Sequence, residues 1–169
     1  ATVALGALPA RYVRVHDIVS AGDRVGAWSV SVRGPAPYTE GATARSSGDE
    51  TPTFTPGNAI DGNLATRWSA TYIAEPWIAI DLGQERPSTR WASCGRLAAA
   101  SSYRIERSDD GVNWTTIHTA TGLEPEPDEG DRVDTVTFDP VTTQHLRVYV
   151  TGKLNSPYLS IREITVPAP

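Results

Sequence analysis

The sequence predicts an all-β sandwich, and three observations carry that prediction. Thirteen prolines and fourteen glycines stand among many Thr, Val and Ser residues, a mixture that suits short strands joined by turns. Short apolar or alternating runs recur along the chain with turn signals between them. No stretch of a dozen residues keeps a 3.6-residue period with caps, and the best attempt, Arg96–Tyr103, is an Ala-Ser run without a strong apolar face.

In chain order the expected strands are Tyr12–Val15, Trp28–Val32, Trp77–Asp81, Tyr103–Arg107, Trp114–His118, Val133–Phe138, His145–Val150 and Leu159–Val166. The clearest reversal is Ser108-Asp109-Asp110-Gly111, where Asp-Gly supplies the positive φ a strand reversal needs. Arg11–Val15 with Trp28–Val32 resembles His145–Tyr149 with Tyr158–Arg162. Either residues 1–36 are an accessory strand pair or the tail of a preceding similar domain, or the likeness is that of any two Arg- and Val-bearing hairpins. Pro35-Ala36-Pro37 reads as the boundary before a domain at 37–169.

The 169 residues, 39% of them apolar, suffice for one domain that buries about 70% of its unfolded surface. No run approaches the roughly 20 apolar residues of a membrane span, and Ala1–Ala10 lacks the layout of an intact signal peptide. A net charge of -5 without a basic block argues against a nucleic-acid partner. The single cysteine, Cys94, closes no intrachain disulfide and leaves the redox compartment open. Catalysis finds no support: G-x-S-x-G, H-E-x-x-H and phosphate-loop patterns are missing. His16, His118 and His145 are scattered, and Glu124–Glu129 reads as a solvated acidic loop.

The most informative stretch is Asn58–Ser69 followed by Pro76–Gly83. Asp61, Asn63 and Thr66 place hard oxygens around the Gly62 turn. Such a loop either holds Ca²⁺ with a second acid from elsewhere or forms an Asx-turn satisfying its own backbone.

The run A-I-D-G-N-x-x-T-R-W-S, then P-W-I-A-I-D-L-G, Y-R-I-E-R-S-D-D-G-V-N-W, L-R-V-Y-V and I-R-E-I-T-V resembles the discoidin domain, also called the coagulation factor V/VIII type C domain, which overlaps the family 32 carbohydrate-binding modules. The resemblance spans about residues 40–166. It implies a jelly-roll β-sandwich of the galactose-binding-domain-like, discoidin type, with a ligand site on the loops of one rim. It also implies a structural Ca²⁺ held by Asp61, Asn63, Thr66, the carbonyl of Ala59 and Glu163. It makes Trp68, Trp77 and Trp114 mostly buried core residues.

A sugar site needs an aromatic face and a few polar groups. The expected contacts are Tyr72, Glu75, Trp91, Arg96, Asn155 and Tyr158, with Lys153 in the same loops; Tyr158 has packing inward as its alternative. Galactose-binding members usually place a histidine after the motif tryptophan, where this chain has Ser69. That departure resembles modules of enzymes degrading glucans or amino-sugar polymers. Arg86–Arg96 lacks the family's apolar alternation and reads as an irregular loop, a diverged strand or an altered sequence.

These readings combine into a monomeric, non-catalytic module that binds a poly- or oligosaccharide and targets the catalytic domain of a secreted, extracellular polysaccharide-active enzyme. Adhesion to protein or anionic lipid on the same fold is the second reading. The rim has few cations for a membrane surface.

Overall fold

The computed structural model describes residues 36–95, 100–124, 132–154 and 159–168. The chain divides into two units, Ala1–Ala36 and Pro37–Pro169, and every strand described below belongs to the second. The expected strands at Tyr12–Val15 and Trp28–Val32 lie outside the described residues.

Among the described residues eight strands follow one another: β1 (Thr43–Ser46), β2 (Trp68–Ser69), β3 (Trp77–Gly95), β4 (Ala100–Ser108), β5 (Thr115–Ala120), β6 (Arg132–Lys153), β7 (Ser160–Ile161) and β8 (Glu163–Thr165), with a 3₁₀ turn at Pro56–Ala59. The main sheet runs β1-β3-β6-β4-β5, with β8 also on β3, and β2 pairs β7 in a second, two-stranded sheet. All pairings are antiparallel.

Period two decides which side chains meet in the middle. Ile78 and Ile80 of β3, Tyr103 and Ile105 of β4, and Leu146, Val148 and Val150 of β6 turn inward and are fully or almost fully buried. Trp68 of β2 and Ile161 of β7 close the core from the second sheet.

Two strands are far longer than the five or six residues usual in sheets. Register shifts fall between Asp81 and Arg86 and between Ser88 and Arg90 of β3, and such bulges bend a strand. The near half of β3 pairs β1 and β6, while Ala92–Cys94 pair β8 as well. Arg86–Gly95 is therefore strand, and Val133–Phe138 and His145–Val150 are the two halves of β6.

Trp91 is corrected by this geometry. Expected on the glycan-binding surface, it is fully buried opposite Val136, so it packs the core and meets no ligand. Of the three tryptophans expected inside, Trp68 is buried, whereas Trp77 and Trp114 are only half-buried. Both lie on the outer face of the main sheet, where Arg147 stacks 4.1 Å from the Trp114 centroid and 5.6 Å from that of Trp77.

The β4–β5 hairpin forms as expected, with Gly111 at φ +70°. Asp110 holds its loop by accepting from the backbone N–H groups of Val112 and Asn113 at 2.8 and 2.7 Å. Those bonds favour the ionised carboxylate and hold its pKa far below the usual range.

Candidate functional site

Thr55 leads into the 3₁₀ turn, with Pro56 at its start, and the turn delivers Ala59 into the core ahead of the Asp61-Gly62-Asn63 loop. Gly62 adopts φ +75°, a conformation that favours glycine. The Asp61 carboxylate accepts from the Asn63 N–H at 2.9 Å and from the Thr66 hydroxyl at 2.7 Å. The same hydroxyl is 2.7 Å from the Asn63 carbonyl. Glu163, 101 residues on, accepts from the Gly62 N–H at 3.0 Å.

Asp61, Asn63, Thr66 and Glu163 are thus brought to one loop beside Ala59. Burial, and next the neighbouring Asp61 charge, push the Glu163 carboxyl up to about 7, against the hydrogen bonds that favour its ionised form. Among the described residues no three His, Cys, Asp or Glu side chains form a metal cage. The loop offers two carboxylates and neutral oxygens, a hard-oxygen set that fits Ca²⁺ in chemistry, and Arg162 donates to the Leu64 carbonyl of the same loop at 3.1 Å.

The second cluster lies along the end of β6, where the loop between β2 and β3 crosses it. Tyr72 is 79% exposed, and an exposed ring of this size is a natural sugar platform. Lys153 Nζ sits 5.6 Å from its centroid and also donates to the Ile73 carbonyl. Burial lowers the Lys153 pKa. Glu75, exposed, accepts from the Tyr149 hydroxyl at 2.8 Å. Tyr72 and Glu75 are therefore both tied to β6, while Arg96, Asn155 and Tyr158 lie outside the described residues.

The β1–3₁₀ loop braces the same rim. Asp49 accepts from Trp68 Nε1 at 3.0 Å and from the Ser46 hydroxyl at 2.6 Å, and Thr71 N–H donates to the Gly48 carbonyl. A Cβ on Gly48, at φ +145°, would stand 2.7 Å from Thr71 Cγ2. Gly48→Ala is accordingly expected to cost about 1–3 kcal/mol, read as a lower midpoint in chemical denaturation; a parent-like midpoint would mean that the loop repacks freely.

Sequence reasoning did not single out Tyr149, which it placed only within the expected strand His145–Val150. The signal was present: Leu146, Val148 and Val150 alternate with His145, Arg147 and Tyr149, so the second set faces outward.

Residues 41–164 match the F5/8 type C domain family, and the chain belongs to it. No curated protein sequence matches. Among solved structures, chitosan-binding module 1 of a chitosanase/glucanase from Paenibacillus sp. IK-5 is 32% identical, with a TM-score of 0.66 over 77% of this chain and 97% of that one. Chitosan-binding module 2 of the same enzyme, solved with chitotriose, is 30% identical, with a TM-score of 0.66 over 75% of this chain and 95% of that one. A family 32 module of Clostridium perfringens, solved with galactose, shares the fold at 24% identity and a TM-score of 0.64, covering 78% and 96% of the two chains. The fold is the discoidin-type β-sandwich.

Proposed function

We propose that residues 37–169 form a non-catalytic carbohydrate-binding module whose ligand is a glucan or amino-sugar oligosaccharide, bound at the rim that carries Tyr72, Glu75 and Lys153. The observation that carries this reading is the 79% exposure of Tyr72 beside an acid and a base on one loop-and-strand edge. The 30–32% identity to two chitosan-binding modules supports the amino-sugar side of it, as does Ser69 in the position after the motif tryptophan.

The module works by proximity. A shallow site holds a secreted, polysaccharide-active parent enzyme near its polymer and raises the effective concentration of substrate. Affinity for one sugar unit is modest, because little area is buried and hydroxyls are already solvated. A structural Ca²⁺ at Asp61, Asn63, Thr66, Ala59 and Glu163 staples the loop and takes no part in recognition.

Affinity electrophoresis in chitosan, β-glucan and galactan gels, with calcium present, tests the reading. Tyr72→Ala is expected to weaken retention roughly ten- to thirtyfold with an unchanged melting temperature, and Tyr158→Ala to do the same. Parent-like migration of both variants would remove the assigned site; parent protein unretained on every glycan would shift the function to protein or lipid adhesion.

A further inference from the structure

We infer that Tyr149 is a positioning residue that presets Glu75 as the counter-ion for a protonated amino sugar, so that the rim distinguishes a free amine from its N-acetylated form. The inference rests on the rim being the glycan site, as proposed above.

The Tyr149 hydroxyl donates to Glu75 Oε2 at 2.8 Å. Its ring does not swing freely, because Arg104 and Arg147 stand 4.9 and 5.1 Å from its centroid. Arg147 is itself pinned to Glu106, Nε to Oε2 at 2.8 Å. The phenol is thus a fixed donor aimed at an exposed loop carboxylate, and that bond is the foremost cause of the raised Tyr149 pKa.

A neutral donor orients the carboxylate without cancelling its charge. Among the described residues Glu75 has no ion-pair partner. Lys153, the cation on the same face of β6, is spent on the Ile73 carbonyl and the Tyr72 ring. One oxygen of Glu75 is held by Tyr149, which leaves the other to accept from a ligand. An ammonium group offers three donors and a full charge to that oxygen, whereas an acetamide offers one N–H, no charge and a bulky methyl.

Tyr149 and Lys153, the anchors of Glu75 and Tyr72, are four strand residues apart, on the order of 13 Å. A trimer, long enough to reach both the Tyr72 ring and the Glu75 carboxylate, is therefore the appropriate probe.

Calorimetric titration of the parent, Glu75→Gln and Tyr149→Phe with a deacetylated glucosamine trimer and with its fully N-acetylated counterpart tests this. The parent is expected to prefer the deacetylated trimer roughly tenfold, the worth of one charge-assisted hydrogen bond, and to lose part of that preference as salt rises. Glu75→Gln abolishes the preference. Tyr149→Phe keeps the ring and its stacked guanidinium groups, hence its melting temperature, yet reduces the preference to about threefold, an effect that a purely structural role would not produce.

Tyr149→Phe with parent-like selectivity would overturn the positioning role, and a parent binding both trimers equally would overturn the charge selection. A parent that binds neither trimer, nor any glycan in the gels above, would overturn the site reading beneath both.

Discussion

Arg147→Ala is expected to lower the unfolding free energy by about 3–5 kcal/mol, the cost of breaking a buried ion pair from one side. Glu106 is only 4% exposed. Its carboxylate is shared between Arg147 Nε at 2.8 Å and Arg104 Nε at 3.0 Å. The Arg147 side chain is 14% exposed and that of Arg104 38%, so water supports Arg104 far more and its pair is correspondingly weaker.

Arg147 is also the register partner of Ala79 on β3 and stacks on the half-buried rings of Trp114, Tyr149 and Trp77. Its removal leaves a buried carboxylate to the weaker, more exposed Arg104 pair and exposes aromatic surface together. Arg147→Lys keeps the charge but loses the planar fork and the stacking, so most of the loss should remain. Urea denaturation of the parent and the variants Arg147→Ala, Arg147→Lys and Arg104→Ala would decide it. A cost below about 1 kcal/mol for Arg147→Ala, as for an exposed pair, would mean that the outer face is solvated after all.

That outer face also shows where a sequence can be read and where it cannot. The near halves of β3 and β6 keep strict alternation, so Ile78, Ile80, Leu146 and Val148 were legible as core from period two alone. Trp77 and Trp114 were not, because an aromatic residue in a strand motif reads as core unless its cover is known. Here the cover is an arginine supplied by a third strand.

Trp91 was illegible for another reason. In β3 the inward positions are even-numbered at Ile78, Ile80, Leu82 and Ser88 and odd-numbered at Trp91 and Ser93, since the shift between Ser88 and Arg90 changes the parity. Across it β3 advances two residues while β6 retreats four, and an irregularity of this kind can exchange the two faces of a strand. The buried residues on either side of it are Ser88, Trp91 and Ser93, a set that no hydrophobic pattern selects. The Asp61-Gly62-Asn63 loop lay at the opposite extreme: its residues are nearly contiguous, and the distant acid brought to it, Glu163, came from the family resemblance.

The calcium proposed for that loop makes a prediction whose sign depends on the metal. In metal-free protein the Glu163 carboxyl is raised to about 7 from an ordinary value near 4.5. The folded state then binds more protons than the unfolded state between those pH values, so stability falls as pH rises through that window. Because Glu163 is only half-buried, solvent screening reduces the loss to about 1–2 kcal/mol. A bound cation removes it, because the ionised pair that repels in its absence becomes the ligand set.

At a thousandfold excess over its dissociation constant a ligand adds about 4 kcal/mol. Calcium at pH 8 should therefore raise the melting temperature well above that in chelator and flatten the pH profile. Glu163→Gln keeps an acceptor for the Gly62 N–H but carries no charge, so its effect should invert: neutral or stabilising in chelator at pH 8, destabilising in calcium. Melting curves of parent and variant from pH 4.5 to 8, each with calcium and with chelator, contain the whole test. If the parent curves coincide in the two buffers, the loop is an Asx-turn that satisfies its own backbone, and the paired acids have another cause.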